Sequence, residues 1–232
     1  MSADRSVAVC LGGWLGRPVP GHGSSLRTHV VDVLHADVFV AATYRRGDCP
    51  GGGGDCLLGK LRKLRPFAGV DVAPMLSLAE LRARVTRFPR FAAVAAAYNN
   101  ASNINWLGLN PFAPVLGNAA SSVLRQLHDY SRSYRQVGAA ERARGRGYAW
   151  LVHTRWETTW LAPHVPLRIL DPSVLWVPPR KEDGVNDRHA LMPREHAGVY
   201  FRRWELLQRA DLLEIIPIER RPDPTPRPPR TA

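Results

Sequence analysis

Lysine is nearly missing from this chain. Of its 232 residues only Lys60, Lys63 and Lys181 are lysine, although Lys and Arg together number 32 against 20 Asp and Glu. The formal charge of +12 is therefore carried almost entirely by arginine. Those arginines are scattered, and no dense basic run alternates with aromatic residues, so the footprint of a nucleic-acid groove binder is absent and nucleic acid is an unlikely partner. Charge alone supplies only a weak, salt-dependent attraction to phosphate. Abundant Arg, Ala, Gly and Pro with little Lys is equally what nucleotide bias in a source genome produces, and an attraction to nucleotide phosphates has the same sign.

Long apolar runs are missing too. No segment approaches the ~20 apolar residues of a membrane-spanning helix. The opening MSADRSVAVCLGGWLG is interrupted by Gly and Trp and preceded only by Arg5, so it reads as a first strand and turn, not as a signal peptide. The expectation is a soluble chain whose compartment stays open, the secretory pathway included. Cysteine is scarce, at three. Cys10 lies in the first apolar run and reads as a small buried hydrophobe. Cys49 and Cys56 flank the tract GDCPGGGGDC and read as two free thiols on a flexible loop, in preference to a disulfide, which needs an oxidising compartment. A zinc site lacks two further ligands at zinc spacing.

What is present is an alternation of apolar runs and helical patterns. Ser6–Leu11, Asp37–Ala42, Val70–Ala73, Tyr148–Val152, Val174–Val177 and Leu212–Ile218 read as strands. Helical spacing marks Leu26–Leu34, capped by Ser24 or Ser25, then Leu76–Ala97, Asn118–Val137 and Arg194–Gln208 with Val199, Trp204 and Leu207 inward. On Asn118–Val137 the stripe Val123, Leu127, Tyr130, Tyr134 and Val137 faces the core, and Arg125, Asp129, Arg132 and Arg135 form a solvated face. The pattern predicts an α/β layered, mainly parallel sheet flanked by helices. One domain spans 1–218, with a structureless Gly-rich insertion at 46–59. A Pro/Arg tail, 219–232, is too poor in apolar residues to fold alone.

Two polar clusters follow apolar runs. Tyr148–Val152 leads into His153, Arg155, Glu157 and Trp160, and Val174–Val177 leads into Gly184-Val185-Asn186-Asp187-Arg188. Charge past the carboxyl end of a buried strand is where open α/β sheets place ligand chemistry. In an extended segment Arg155 and Glu157 point to one side. They read either as an ion pair at a strand edge or as a metal-holding carboxylate beside a diphosphate-gripping guanidinium. Asn186 and Asp187 read as turn residues, or Asp187 as an acceptor-hydroxyl base or a sugar-hydroxyl ligand, with Arg188 meeting phosphate or pairing with Glu157. His189 and His196, seven apart, lack the spacing of a zinc pair, and Gly12-Gly13 has no G-x-G-x-x-G continuation.

The segment T-R-x-E-x-x-W-x-A-P (Thr154, Arg155, Glu157, Trp160, Ala162, Pro163), followed by Trp176-Val177-Pro178 and G-x-N-D-R-x-A-x-x-P-R-E from Gly184, resembles a group of uncharacterised glycosyltransferase-like proteins of plants, algae and large viruses. VAVCLGGWLGR and DVFVAATY are similar to their first two strands. The resemblance implies a GT-A-like, Rossmann-related fold that takes a nucleotide-sugar donor and an unknown glycan, protein or small-molecule acceptor. It implies Mn²⁺ or Mg²⁺ at Glu157, which stands where the family has Asp. It implies Arg155 and Arg188 at the leaving phosphates, and Asp187 as base or sugar ligand. Gly12, Gly13, Arg17, Trp160 and Asn186 would line the donor site. The alternative on the same scaffold is an inactive nucleotide-binding paralogue.

Overall fold

The computed structural model describes residues 6–49, 54–86, 122–179 and 188–209. The predicted elements over 87–121, the cluster Gly184–Asp187, the strand Leu212–Ile218 and the tail lie outside the described residues.

Strand β1 (Val7–Trp14) is central because both its faces are apolar. Val7, Val9 and Leu11 join Leu26, Val30, Val31 and Leu34 in one buried cluster, while Ala8 and Cys10 are buried on the other side. Around it β2 (Asp37–Tyr44), β3 (Gly69–Pro74), β4 (Trp150–Thr154) and β5 (His189–Pro193) complete one sheet in the order β3-β2-β1-β4-β5. The first four strands are parallel and β5 runs antiparallel to β4. The expectation of a mainly parallel sheet flanked by helices holds.

The chain divides into two compact units. Met1–Met75 with Arg125–Arg203 carries all five strands, and Leu76–Leu124 with Trp204–Ala232 is the other. In the second, helix α3 (Leu78–Thr86) opens on a reciprocal capping box. Ser77 N–H donates to Glu80 Oε2 at 2.7 Å and Glu80 N–H donates to Ser77 Oγ at 3.2 Å.

One face of the sheet is covered by helix α1, which starts as α-helix at Ser24–Leu26 and continues π-helical through Arg27–Val31. Gly23, not a serine, is its N-cap. The left-handed φ of +87° there suits only glycine, and a Cβ would meet Leu64 at 2.8 Å. Ser24 instead donates to the Gly21 carbonyl. The expected structureless stretch 46–59 contains helix α2 (Gly54–Gly59). Leu57 and, beyond it, Leu61 and Leu64 are buried at three- and four-residue steps, and that burial outweighs the glycine tract. The same turn brings Cys56 back to Cys49, Cα atoms 6.3 Å apart, where they form a disulfide and not two free thiols.

The other face is covered by α4 (Ser122–Arg144), which runs seven residues past its expected end, and by α5 (Arg194–Phe201). Arg194 joins them with a bidentate pair to Glu141, 2.7 Å from each oxygen. Helix α6 (Arg203–Arg209) follows after a break, and Val199, expected inward, is 68% exposed. The solvated-face expectation for α4 fails at its centre, where Asp129, Ser131, Arg132 and Ser133 are all buried. Arg132 is the reason. Its guanidinium reaches Asp71 Oδ1 at 2.5 Å, Asp129 Oδ1 at 3.1 Å and the Ala42 carbonyl at 3.3 Å, tying the helix to the carboxyl ends of β2 and β3.

Val174–Val177 is not a sheet strand. Val174 and Trp176 are exposed, and only Trp176 pairs, through a single antiparallel bridge to Leu191. The sheet instead takes His-Ala-Leu-Met-Pro, all five residues buried, as β5.

Burial pushes Asp129 up to about 7 even beside Arg132, so above that pH an unpaired Asp129 is a buried charge. Arg132→Met is expected to cost about 3–5 kcal/mol in urea unfolding at pH 8, and less at pH 5.5 where Asp129 is protonated.

Candidate functional site

The order β3-β2-β1-β4 places a topological switch point between β1 and β4, where open α/β sheets form a crevice at the carboxyl ends of the strands. Two turns leave the sheet there. After β1, Leu15 is buried and Arg17 N–H closes a turn on the Trp14 carbonyl at 3.3 Å. After β4, Thr158 N–H donates to the Arg155 carbonyl at 3.3 Å, with the fully buried Trp156 inside that turn. The Trp156 ring lies 3.5 Å from where a Cβ on Gly13 would stand, and Gly13 has φ +134°. The positive φ is the demand that favours glycine there, while the ring distance is an ordinary packing contact.

These turns bring two guanidinium groups to one carboxylate. Arg155 Nη2 is 2.6 Å and Arg17 Nη1 3.0 Å from the same oxygen, Glu157 Oε1. Arg155 and Glu157 meet through a turn and not through strand alternation, since β4 ends at Thr154. Next to Arg17 a cleft of about 300 Å³ is lined by Gly16, Arg17, Pro18, Val19 and Lys60. Lys60 is steadied there by donating from Nζ to the Leu15 carbonyl at 2.8 Å. Lys60 is absent from the sequence-based set. Its signal is the spacing of Leu57, Leu61 and Leu64, which marks a helix directly after the glycine tract.

Arg188 reaches the same edge by an unexpected route. It precedes β5, and because β5 is antiparallel its start lies beside the end of β4, where Arg155 N–H donates to the Arg188 carbonyl at 3.1 Å. Asn186 and Asp187 lie outside the described residues. Gly12 and Gly13 are within β1 and not in a turn, with His153 and Asp129 flanking Gly12. Trp160 is half-buried against the core: its backbone N–H donates to Ser25 Oγ, and its ring meets His189 and His164.

The arrangement fits an anion better than a metal. A divalent cation at Glu157 would face two guanidinium groups and would have to displace both. Among the described residues no group of three His, Cys, Asp or Glu is placed to hold a metal ion, and no described helix is long and apolar enough to cross a membrane. Glu157 is about one-fifth exposed, so its two ion pairs are partly solvated. No protein-family model and no curated protein matches the chain.

Partial exposure limits what the Glu157 pairs contribute to folding. Glu157→Gln is expected to lower unfolding free energy by no more than about 1 kcal/mol in urea titrations.

Proposed function

We propose that the chain is a glycosyltransferase of GT-A-like fold that moves a sugar from a nucleotide-sugar donor to a hydroxyl acceptor. The observation that carries this reading is the sharing of Glu157 by Arg17 and Arg155 beside the β1–β4 switch point. One carboxylate between two guanidinium groups leaves a net positive edge, and Lys60 adds a third cation across the cleft. That surplus suits a diphosphate, whose oxygens accept forked hydrogen bonds from arginine.

In the transfer, the bond between the anomeric carbon and the phosphate oxygen breaks and the acceptor oxygen bonds to that carbon. The acceptor proton passes to a base, the expected role of Asp187. The nucleoside diphosphate leaves with the electron pair, and Arg17 and Arg155 would neutralise the charge that develops there. Glu157 in this reading positions both arginines. Mn²⁺ or Mg²⁺ at Glu157 remains the expectation of the resemblance, and no step here is routed through it.

Calorimetry with inorganic pyrophosphate and a panel of nucleoside-diphospho-sugars, with and without Mn²⁺, tests the reading. Arg17→Ala and Arg155→Ala are each expected to weaken binding about tenfold, or ~1.4 kcal/mol. Glu157→Gln is expected to retain or tighten pyrophosphate binding, because it removes the competing carboxylate. Loss of binding in Glu157→Gln together with loss on chelation returns Glu157 to the metal. Binding without turnover favours the non-catalytic paralogue, and absence of any binding defeats both readings.

A further inference from the structure

Beside the start of β5, rings from separate segments close on one another. His189 meets Trp160 edge-on at 4.9 Å and His164 at 5.5 Å, and Trp160 and His164 are 5.7 Å apart. The segment bearing Trp160 and His164 is docked on the first helix: Trp160 N–H donates to Ser25 Oγ at 3.2 Å and His164 N–H to the His29 carbonyl at 2.7 Å. His164 and His189 are buried, and Nδ1 of His189, Nδ1 of His29 and Nε1 of Trp160 are buried without a hydrogen-bond partner among the described residues. His164 Nδ1 is 2.7 Å from the Val165 carbonyl, to which it donates.

We propose that Trp160, His164 and His189 form an acid-released latch that holds segment 158–170 against the first helix and β5 when the imidazoles are neutral. The charged and titratable groups around the pair give an added proton no partner. They are His29 from the helix, His153 from β4 and Arg188 at the head of β5, with Arg155 just past β4, Tyr200 and Arg203 set against His153. Among the described residues no carboxylate pairs with His164 or His189; the ion pair of a histidine is His196 with Glu195. Burial holds His164 below the ordinary histidine range. Burial, then the nearby His164, lowers His189 to about 4. Both values are depressed in the folded state, so the closed latch is fully stable above pH ~6.5 and weakens as pH falls from there towards ~4.

Hydrogen exchange on the intact chain tests this. Corrected for intrinsic rates, protection of the Trp160 and His164 amides is expected to fall on the order of 50–100-fold between pH 7.5 and 4.5, while β1 and β4 stay protected. The double variant His164→Gln/His189→Gln is expected to change less than about fivefold. Equal wild-type protection at both pH values, simultaneous loss in β1, or an undiminished fall in the double variant would each overturn the latch. Should the double variant fail to fold, NMR titration of the wild-type imidazoles decides: midpoints below ~6 support the latch, and midpoints at ~6.5 for both residues sink it.

Discussion

Burial of the Trp156 indole against Gly13 sets the position of everything at the functional edge. Trp156 is fully enclosed, and its ring stands 3.5 Å from where a Cβ on Gly13 would lie, in van der Waals contact with that backbone. Burying an aromatic ring of this size is worth several times a surface ion pair. The tryptophan therefore dictates where its neighbours go, and the neighbours do not dictate its place. With Trp156 inward, Arg155 and Glu157 on either side turn outward together. Because the partner of the ring is Gly13, the turn that follows β1 is drawn to the same place and delivers Arg17.

The ion pairs are then a consequence of packing. Two guanidinium groups brought to one spot repel each other, and a single carboxylate between them makes the arrangement tolerable in partial solvation. It also fixes their direction. Arg17 and Glu157 are 140 residues apart in sequence, so no local pattern dictates their contact. What places them together is parallel pairing of β1 with β4 across the switch point.

That distinction explains what the amino-acid pattern reveals and what it hides. Strands β1 to β4 are legible because each is an apolar run at or near the length of a buried strand. β5 is hidden because its five residues begin with histidine and end with proline, next to a polar turn. Val174–Val177 misleads for the opposite reason: its residues favour strands, yet only Trp176 makes a bridge. Arg155 and Glu157 are legible as a pair, although the alternation that suggests it belongs to a strand and the contact is made in a turn. Lys60 is obscured by the glycine tract before it. Asp129 and Arg132 stand three apart on a polar stripe, and such a pair reads identically whether water or a sheet edge lies opposite.

The two multi-centre ion arrangements in the sheet-bearing unit, one buried at Arg132 and one partly exposed at Glu157, are opposite in charge balance. At Arg132 one guanidinium is divided between two carboxylates, Asp71 and Asp129, and burial lifts one of them towards protonation. That network is neutral when Asp129 is protonated, and its polar atoms are taken up by one another. At Glu157 the ratio is inverted, with two guanidinium groups on one carboxylate and a lysine across the cleft. The surplus there is positive and faces solvent. The histidines next to it, held neutral by burial, add nothing to that surplus at pH 7.5. Arginine cannot be discharged in the physiological range. The charge at this edge is therefore constant in sign, and the proposed latch confines the effect of acid to segment 158–170.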